Sequence, residues 1–211
     1  MKQPAACSGF FLCPNQSVVE KVLFLCQRLT MQPKLLLNAQ QIDILLHRLA
    51  CQLIEHHGDF SNCVLIGLQP RGVYLLDRLA NLLQEKYQIE TLQTGKLDIT
   101  FFRDDFRRSE KPHAASSNEM NVRIEGKAIV FIDDVLYTGR SIRAALTAIE
   151  SYGRPKSIEL LNLIDRRFSR DLPIQPDYVG RQIDALQNDK VIVEWSATHK
   201  EDAVYLLKDN L

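Results

Sequence analysis

Between residues 42 and 53, apolar side chains recur at three- and four-residue steps: Ile42, Leu45, Leu46, Leu49 and Leu53. That spacing predicts an amphipathic helix, with Asn38 as its N-cap and the apolar stripe packed in a core. Cys63-Val64-Leu65-Ile66-Gly67-Leu68 is instead a short continuous apolar run bounded by turn residues, the pattern of a strand buried on both faces. Gln69-Pro70-Arg71-Gly72 breaks it, and Val73 to Tyr87 reads as the next helix. Leu97 to Phe102, Ser157 to Ile164 and Lys190 to Trp195 read as further strands. Strands alternating with helical runs predict an α/β protein whose central, mainly parallel sheet is flanked by helices.

One segment joins this pattern to chemistry. Ile129-Val130-Phe131-Ile132 is a β-type apolar run that leads into Asp133-Asp134, then Val135-Leu136-Tyr137, a Thr138-Gly139 turn, and Arg140-Ser141 opening a helical run. The carboxylates fall at the carboxyl end of a strand, where open α/β sheets bind ligands. The following helix start offers free N–H groups and the positive end of a dipole to a phosphate. Two acids beside such a cradle suit a phosphorylated sugar: carboxylates on ribose hydroxyls, loop on the 5′-phosphate. The alternative is a helix cap or a solvated turn. A Walker-type loop is excluded, because the segment has no Gly-Lys-Ser/Thr and its acids precede the turn. The Arg71-Gly72 turn alone is an ordinary strand-to-helix connection. Beside the phosphate cradle it becomes a candidate for the pyrophosphate end of a substrate.

The 211 residues allow one ordinary α/β domain, and 26 Lys plus Arg balance 26 Asp plus Glu, so no global field draws the chain to nucleic acid or membrane. No apolar stretch approaches the roughly 20 residues needed to span a bilayer. Five cysteines, Cys7, Cys13, Cys26, Cys51 and Cys63, form no Cys-x-x-Cys pair or zinc pattern, and read as reduced thiols of a cytoplasmic protein, with Cys51 and Cys63 in apolar runs. Residues 1–30 read as a dispensable extension, or as sequence upstream of the working start codon, and residues 31–211 as the domain. Intact Met1 on amino-terminal sequencing of the native protein would reject that division. Residues 103–121 lack periodicity and are dense in charge, which predicts a mobile lid, the alternative being disorder.

These motifs together resemble the type I phosphoribosyltransferases, and more closely the PyrR family of pyrimidine-operon regulators with uracil phosphoribosyltransferase activity. The resemblance runs from Ile42 to Trp195. It is carried by Gly67 to Leu75, Leu97 to Asp105, Val130 to Ser141, Gly153-Arg154-Pro155, Leu172-Pro173-Ile174 and Asp177 to Gly180. It implies the type I fold with a small hood over residues 165–189, and a reaction in which uracil displaces pyrophosphate from phosphoribosyl pyrophosphate to give UMP. It also implies roles for residues. Asp133 and Asp134 would hold the ribose hydroxyls, Arg103 would close over the pyrophosphate, and Arg71 and Gly72 would meet it. Val135, Leu136, Tyr137, Thr138, Gly139, Arg140 and Ser141 would bind the substrate, with the base under Val179 and Gly180. Mg²⁺ is implied, held mainly through the substrate, and so is a homo-oligomer, dimer or larger. Tyr137 stands where 6-oxopurine enzymes carry an Asp, which favours a pyrimidine. Gln69-Pro70 departs from the usual basic residue and Thr, and Asp165 to Asp171 is altered and one residue longer than in Gram-positive regulators. A messenger-RNA face could draw on Arg140, Arg143, Arg154, Arg166, Arg167 and Arg170; plain surface charge is the alternative. Two further readings are an RNA-binding attenuator that senses UMP with little catalysis, and a phosphoribosyltransferase for another base.

Overall fold

A computed structural model describes residues 33–103, 119–186 and 188–208. The expected extension, 1–30, lies outside the described residues, as does the expected lid apart from Arg103 and residues 119–121. Five parallel strands form the main sheet in the order β3-β2-β4-β5-β6: β2 Cys63–Gln69, β3 Gln93–Asp98, β4 Ala128–Leu136, β5 Ser157–Arg166 and β6 Tyr178–Ile183. Their continuous apolar runs reflect burial on both faces. Helix α1 (Ala39–His57) and helix α2 (Gly72–Glu85) pack on one face through Ile42, Leu46, Leu49, Leu53, Leu75, Leu76, Leu79 and Leu83. Helix α3 (Arg140–Ile149) covers the other with Ile142, Ala145, Ala148 and Ile149 against Ile129 and Phe131. Asn38 caps α1 as expected, its side chain accepting the Gln41 N–H at 2.9 Å while Gln41 returns a bond to the Asn38 N–H.

The order of the strands creates the crevice. From β2 the chain turns outward to β3 by way of α2; from β4 it turns to the opposite side, through α3, to β5 and β6. The connections therefore diverge between β2 and β4, the place where open sheets leave a cleft at their carboxyl ends.

Three expectations change. The strand expected over Leu97 to Phe102 ends at Asp98, whose carboxylate accepts the Thr100 N–H at 2.7 Å and turns the chain into a 3₁₀ turn, Thr100–Phe102. The run 165–189, expected as hood, contributes β6 to the main sheet. The hood sheet itself is β1 (Pro33–Leu37), β8 (Ala203–Leu207) and β7 (Lys190–Glu194), all antiparallel. It closes on the core through Leu37, Val193, Trp195, Val204 and Leu206. Cys51 is exposed rather than packed in a core; Cys63 is buried, and desolvation beside Glu159 pushes its thiol up to about 12. Among the described residues no helix is long and apolar enough to cross a membrane.

Candidate active site

A cleft of about 680 Å³ opens at the divergence of β2 and β4. Arg71, Arg103, Asp133, Asp134 and the whole run Val135 to Ser141 line it, so the structure brings most of the expected site together. Strand alternation sends the two acids to opposite faces of the sheet. Asp133 is half-buried in the cleft and its Oδ1 accepts the Asp134 N–H at 3.0 Å. Asp134 is buried and accepts Arg71 Nε at 2.6 Å, while Arg71 Nη2 donates to the Val193 carbonyl at 2.7 Å. Both acids line the cleft, and Asp134 also anchors an arginine that ties β4 to the hood.

Burial pushes the Asp133 carboxyl well above the ordinary value of 3.8, and the Asp134 charge adds to the rise; the Asp134 N–H, Arg71 and Arg103 oppose it. Folding therefore favours the protonated form. The stability this contributes is fully present at low pH and is lost as pH rises through the raised value. A role that needs the carboxylate is gained over the same window. The acid limb of kcat/KM is therefore expected above 3.8, with stability falling across it. Asp133→Asn should abolish both trends in a pH series of rate and unfolding midpoint.

Beyond the acids, Gly139 (φ 90°) is the N-cap of α3, in the left-handed region where a side chain is strained. Arg140 and Ser141, in the first turn of α3, line the cleft beside Thr138, whose hydroxyl accepts the Arg140 N–H at 3.5 Å. Arg103 reaches this bend from the end of the 3₁₀ turn, donating to the Ser141 hydroxyl at 2.9 Å.

Three expected residues lie elsewhere. Gly72 does not line the cleft: a Cβ there would overlap the Ile132 carbonyl oxygen, so its bare backbone lets the start of α2 pack on β4. Val179 and Gly180 are on β6, away from the cleft. Their carbonyls accept from Arg48 of α1, and Gly180 leaves room for the Leu163 carbonyl of β5. The cleft is walled on that side by Arg166, by Asn188 and Asp189, and by Lys190, Val191 and Ile192 of the hood. Arg166, read as a surface charge, is 4% exposed, with its guanidinium 3.9 Å from the centre of the Tyr137 ring. No local motif marks this wall, because its position depends on the pairing of β7 with β8, and of β8 with β1 at the far end of the domain.

The family model for the phosphoribosyl transferase domain matches residues 34–201. A bifunctional protein pyrR of Enterococcus faecalis is 39% identical over 180 residues, covering 85% of this chain and 99% of the relative. The chain belongs to the PyrR family. A bifunctional protein PyrR of Gloeothece citriformis is 42% identical over 173 residues, covering 82% of this chain and 96% of the relative. Solved structures share the type I phosphoribosyltransferase fold at low identity. A hypoxanthine phosphoribosyltransferase of Staphylococcus aureus superposes with TM-score 0.60 at 21% identity, covering 83% of this chain and 92% of that one. A Trypanosoma cruzi hypoxanthine phosphoribosyl transferase gives 0.64 at 17%, covering 85% and 93%. The PyrR-family chain is thus a phosphoribosyltransferase by fold and by sequence, and its cleft lies inside the matched span.

Proposed function

We propose that this PyrR-family chain transfers the phosphoribosyl group of phosphoribosyl pyrophosphate to uracil, giving UMP and pyrophosphate. The observation that carries the reading is the convergence of Asp133 with the Thr138 to Ser141 bend in one cleft. N1 of uracil bonds to C1 of the ribose, the C1–O bond to pyrophosphate breaks with its electron pair on the leaving oxygen, and the N1 proton is released. Positive charge builds on the ribose ring while negative charge builds on the leaving group, so fixed charges dominate the catalysis. The Asp133 carboxylate stabilises the ring cation. The bend and the first-turn N–H groups of α3 hold the 5′-phosphate, and Arg103 and Arg71 supply positive charge to the pyrophosphate.

Mg²⁺ fits this donor set. The ion takes oxygen donors, which the Asp133 carboxylate beside the Thr138 to Ser141 bend offers and which phosphate oxygens and waters would complete. When bound, it neutralises charge on the pyrophosphate.

The hood supplies the base wall. Strand β7 is an edge strand of its sheet, so one row of its backbone N–H and C=O groups has no strand partner among the described residues. Uracil offers two carbonyl acceptors and an N–H donor, the complement of such an edge. Tyr137, under the Arg166 guanidinium, presents no carboxylate to a purine imidazole. A panel of bases tests the assignment: uracil is expected to give the highest kcat/KM, and a preference for hypoxanthine or guanine would reject it.

The regulatory half of the reading is contact with messenger RNA. Arg140 pairs with Asp171, Arg167 with Asp184 and Arg170 with Asp165, and Arg166 is buried. Arg140, Arg143, Arg154 and Arg167 are exposed and offer their charge to phosphates. Binding through them would weaken steeply with salt; an affinity indifferent to salt would reject that contact.

A further inference from the structure

The bend that carries the phosphate site has a second side, facing away from the cleft, and residues 170–174 fill it. Arg170 Nη1 donates to the carbonyls of Leu136 at 3.2 Å, Tyr137, and Arg166 at 3.2 Å; Nε donates to the Ile174 carbonyl at 3.1 Å; Nη2 bonds the buried Asp165 carboxylate. One planar cation thus gathers acceptors from the end of β4, the end of β5 and its own segment. The next two residues continue the contact, the N–H groups of Asp171 and Leu172 both donating to the Thr138 carbonyl at 3.1 and 3.3 Å. Leu172 and Ile174 pack against Gly139, with Ile174 Cδ1 3.2 Å from where a Cβ would stand.

We propose that Arg170 is a positioning residue that holds the 136–139 bend in its phosphate-binding shape. A trans peptide points its C=O and the following N–H in opposite directions. Pinning the carbonyls of Leu136, Tyr137 and Thr138 on the Arg170 side therefore turns the N–H groups of Tyr137, Thr138 and Gly139 toward the cleft. A phosphate then meets amides already aimed at it, with no loop ordering at the moment of binding. Lysine cannot replace this geometry, because a point ammonium lacks the guanidinium's planar fork and reaches fewer of the acceptors. The inference rests on the cleft being a phosphoribosyl site, as set out under the proposed function, but not on uracil being the acceptor.

The test is calorimetric binding of ribose 5-phosphate together with steady-state kinetics. Arg170→Lys is expected to weaken ribose 5-phosphate binding and raise the KM for phosphoribosyl pyrophosphate by about tenfold or more, while leaving the KM for uracil within about twofold. Added guanidinium ion at low millimolar concentration should restore part of the loss in Arg170→Ala. Ile174→Ala keeps the hydrogen bonds of Arg170 and removes packing from Gly139, so it should shift the same two quantities in the same direction by less. If Arg170→Lys does not fold, Asp165→Asn, which removes the carboxylate charge that orients the Arg170 guanidinium, carries the test by the same two quantities. Unchanged ribose 5-phosphate binding in the variants, or equal rises in both KM values, would overturn the role of Arg170. Wild-type protein that ignored ribose 5-phosphate would overturn the phosphoribosyl reading of the cleft and this inference with it. Wild-type protein that bound it but left uracil unreacted would refute only the choice of base.

Discussion

Asp133→Asn is expected to lower kcat by about 10²- to 10³-fold while leaving the fold intact, the range found when one preorganised charge or dipole aimed at a transition state is removed. The side chain is half-buried in the cleft and the substitution keeps its shape, so the loss falls on the charge that the proposed mechanism sets against the ribose. Asp134→Asn should behave differently, although the residue is its neighbour. Asp134 is buried and holds Arg71 at 2.6 Å, and that arginine also holds the hood through Val193. Loss of this charge-assisted bond is expected to cost about 2 kcal/mol of stability, less than for a fully buried pair because the Arg71 side chain is half exposed. Kinetics and urea unfolding of the two variants should separate the roles: a rate defect without destabilisation at 133, and both at 134. Equal, small effects at the two positions would mean that the acids only shape the turn.

The second large effect is expected at Gly72→Ala. A methyl group there would overlap the Ile132 carbonyl oxygen and crowd the Asp133 Cα, and both of those neighbours are backbone of the central strand β4, so neither can rotate aside. The start of α2 must then move off the sheet, at a cost of about 3 kcal/mol, the upper end of overpacking penalties. The same movement carries Arg71 away from Asp134. Urea unfolding should show the midpoint falling sharply, and activity should fall further than the folded fraction accounts for. An alanine variant as stable as the parent would show that α2 can recede from β4 without strain.

The acid pair and the bend were legible because strand end, carboxylates, Thr-Gly turn and helix start are contiguous, and local sequence dictates all four. The helix over 39–57 was legible for the same reason: its stripe and its cap are written in one short segment. Asp98 shows how a local detail escapes a strand pattern. The alternation ran on through Phe102, but one carboxylate bonding two residues ahead was enough to end the strand. Residues whose place depends on distant pairing were illegible. Lys190, Val191 and Ile192 read as a strand, but nothing in them states that β8 and β1 will hold that strand over the cleft. Val179 and Gly180 were drawn into the site by resemblance. In the fold, the glycine's missing side chain serves the Leu163 carbonyl of the neighbouring strand instead. Arg166 and Arg170 illustrate the limit for charge: both read as surface, yet one stacks on Tyr137 and the other fastens five acceptors behind the bend.

The central claim, that the cleft grips phosphoribosyl pyrophosphate and delivers its ribose to a pyrimidine, is tested most directly by product analysis. Purified protein is supplied with phosphoribosyl pyrophosphate, uracil and Mg²⁺, and UMP and pyrophosphate are quantified together. Equimolar appearance of the two, dependent on uracil, is the expected result. Pyrophosphate release without UMP, or no reaction under saturating substrates, would contradict it.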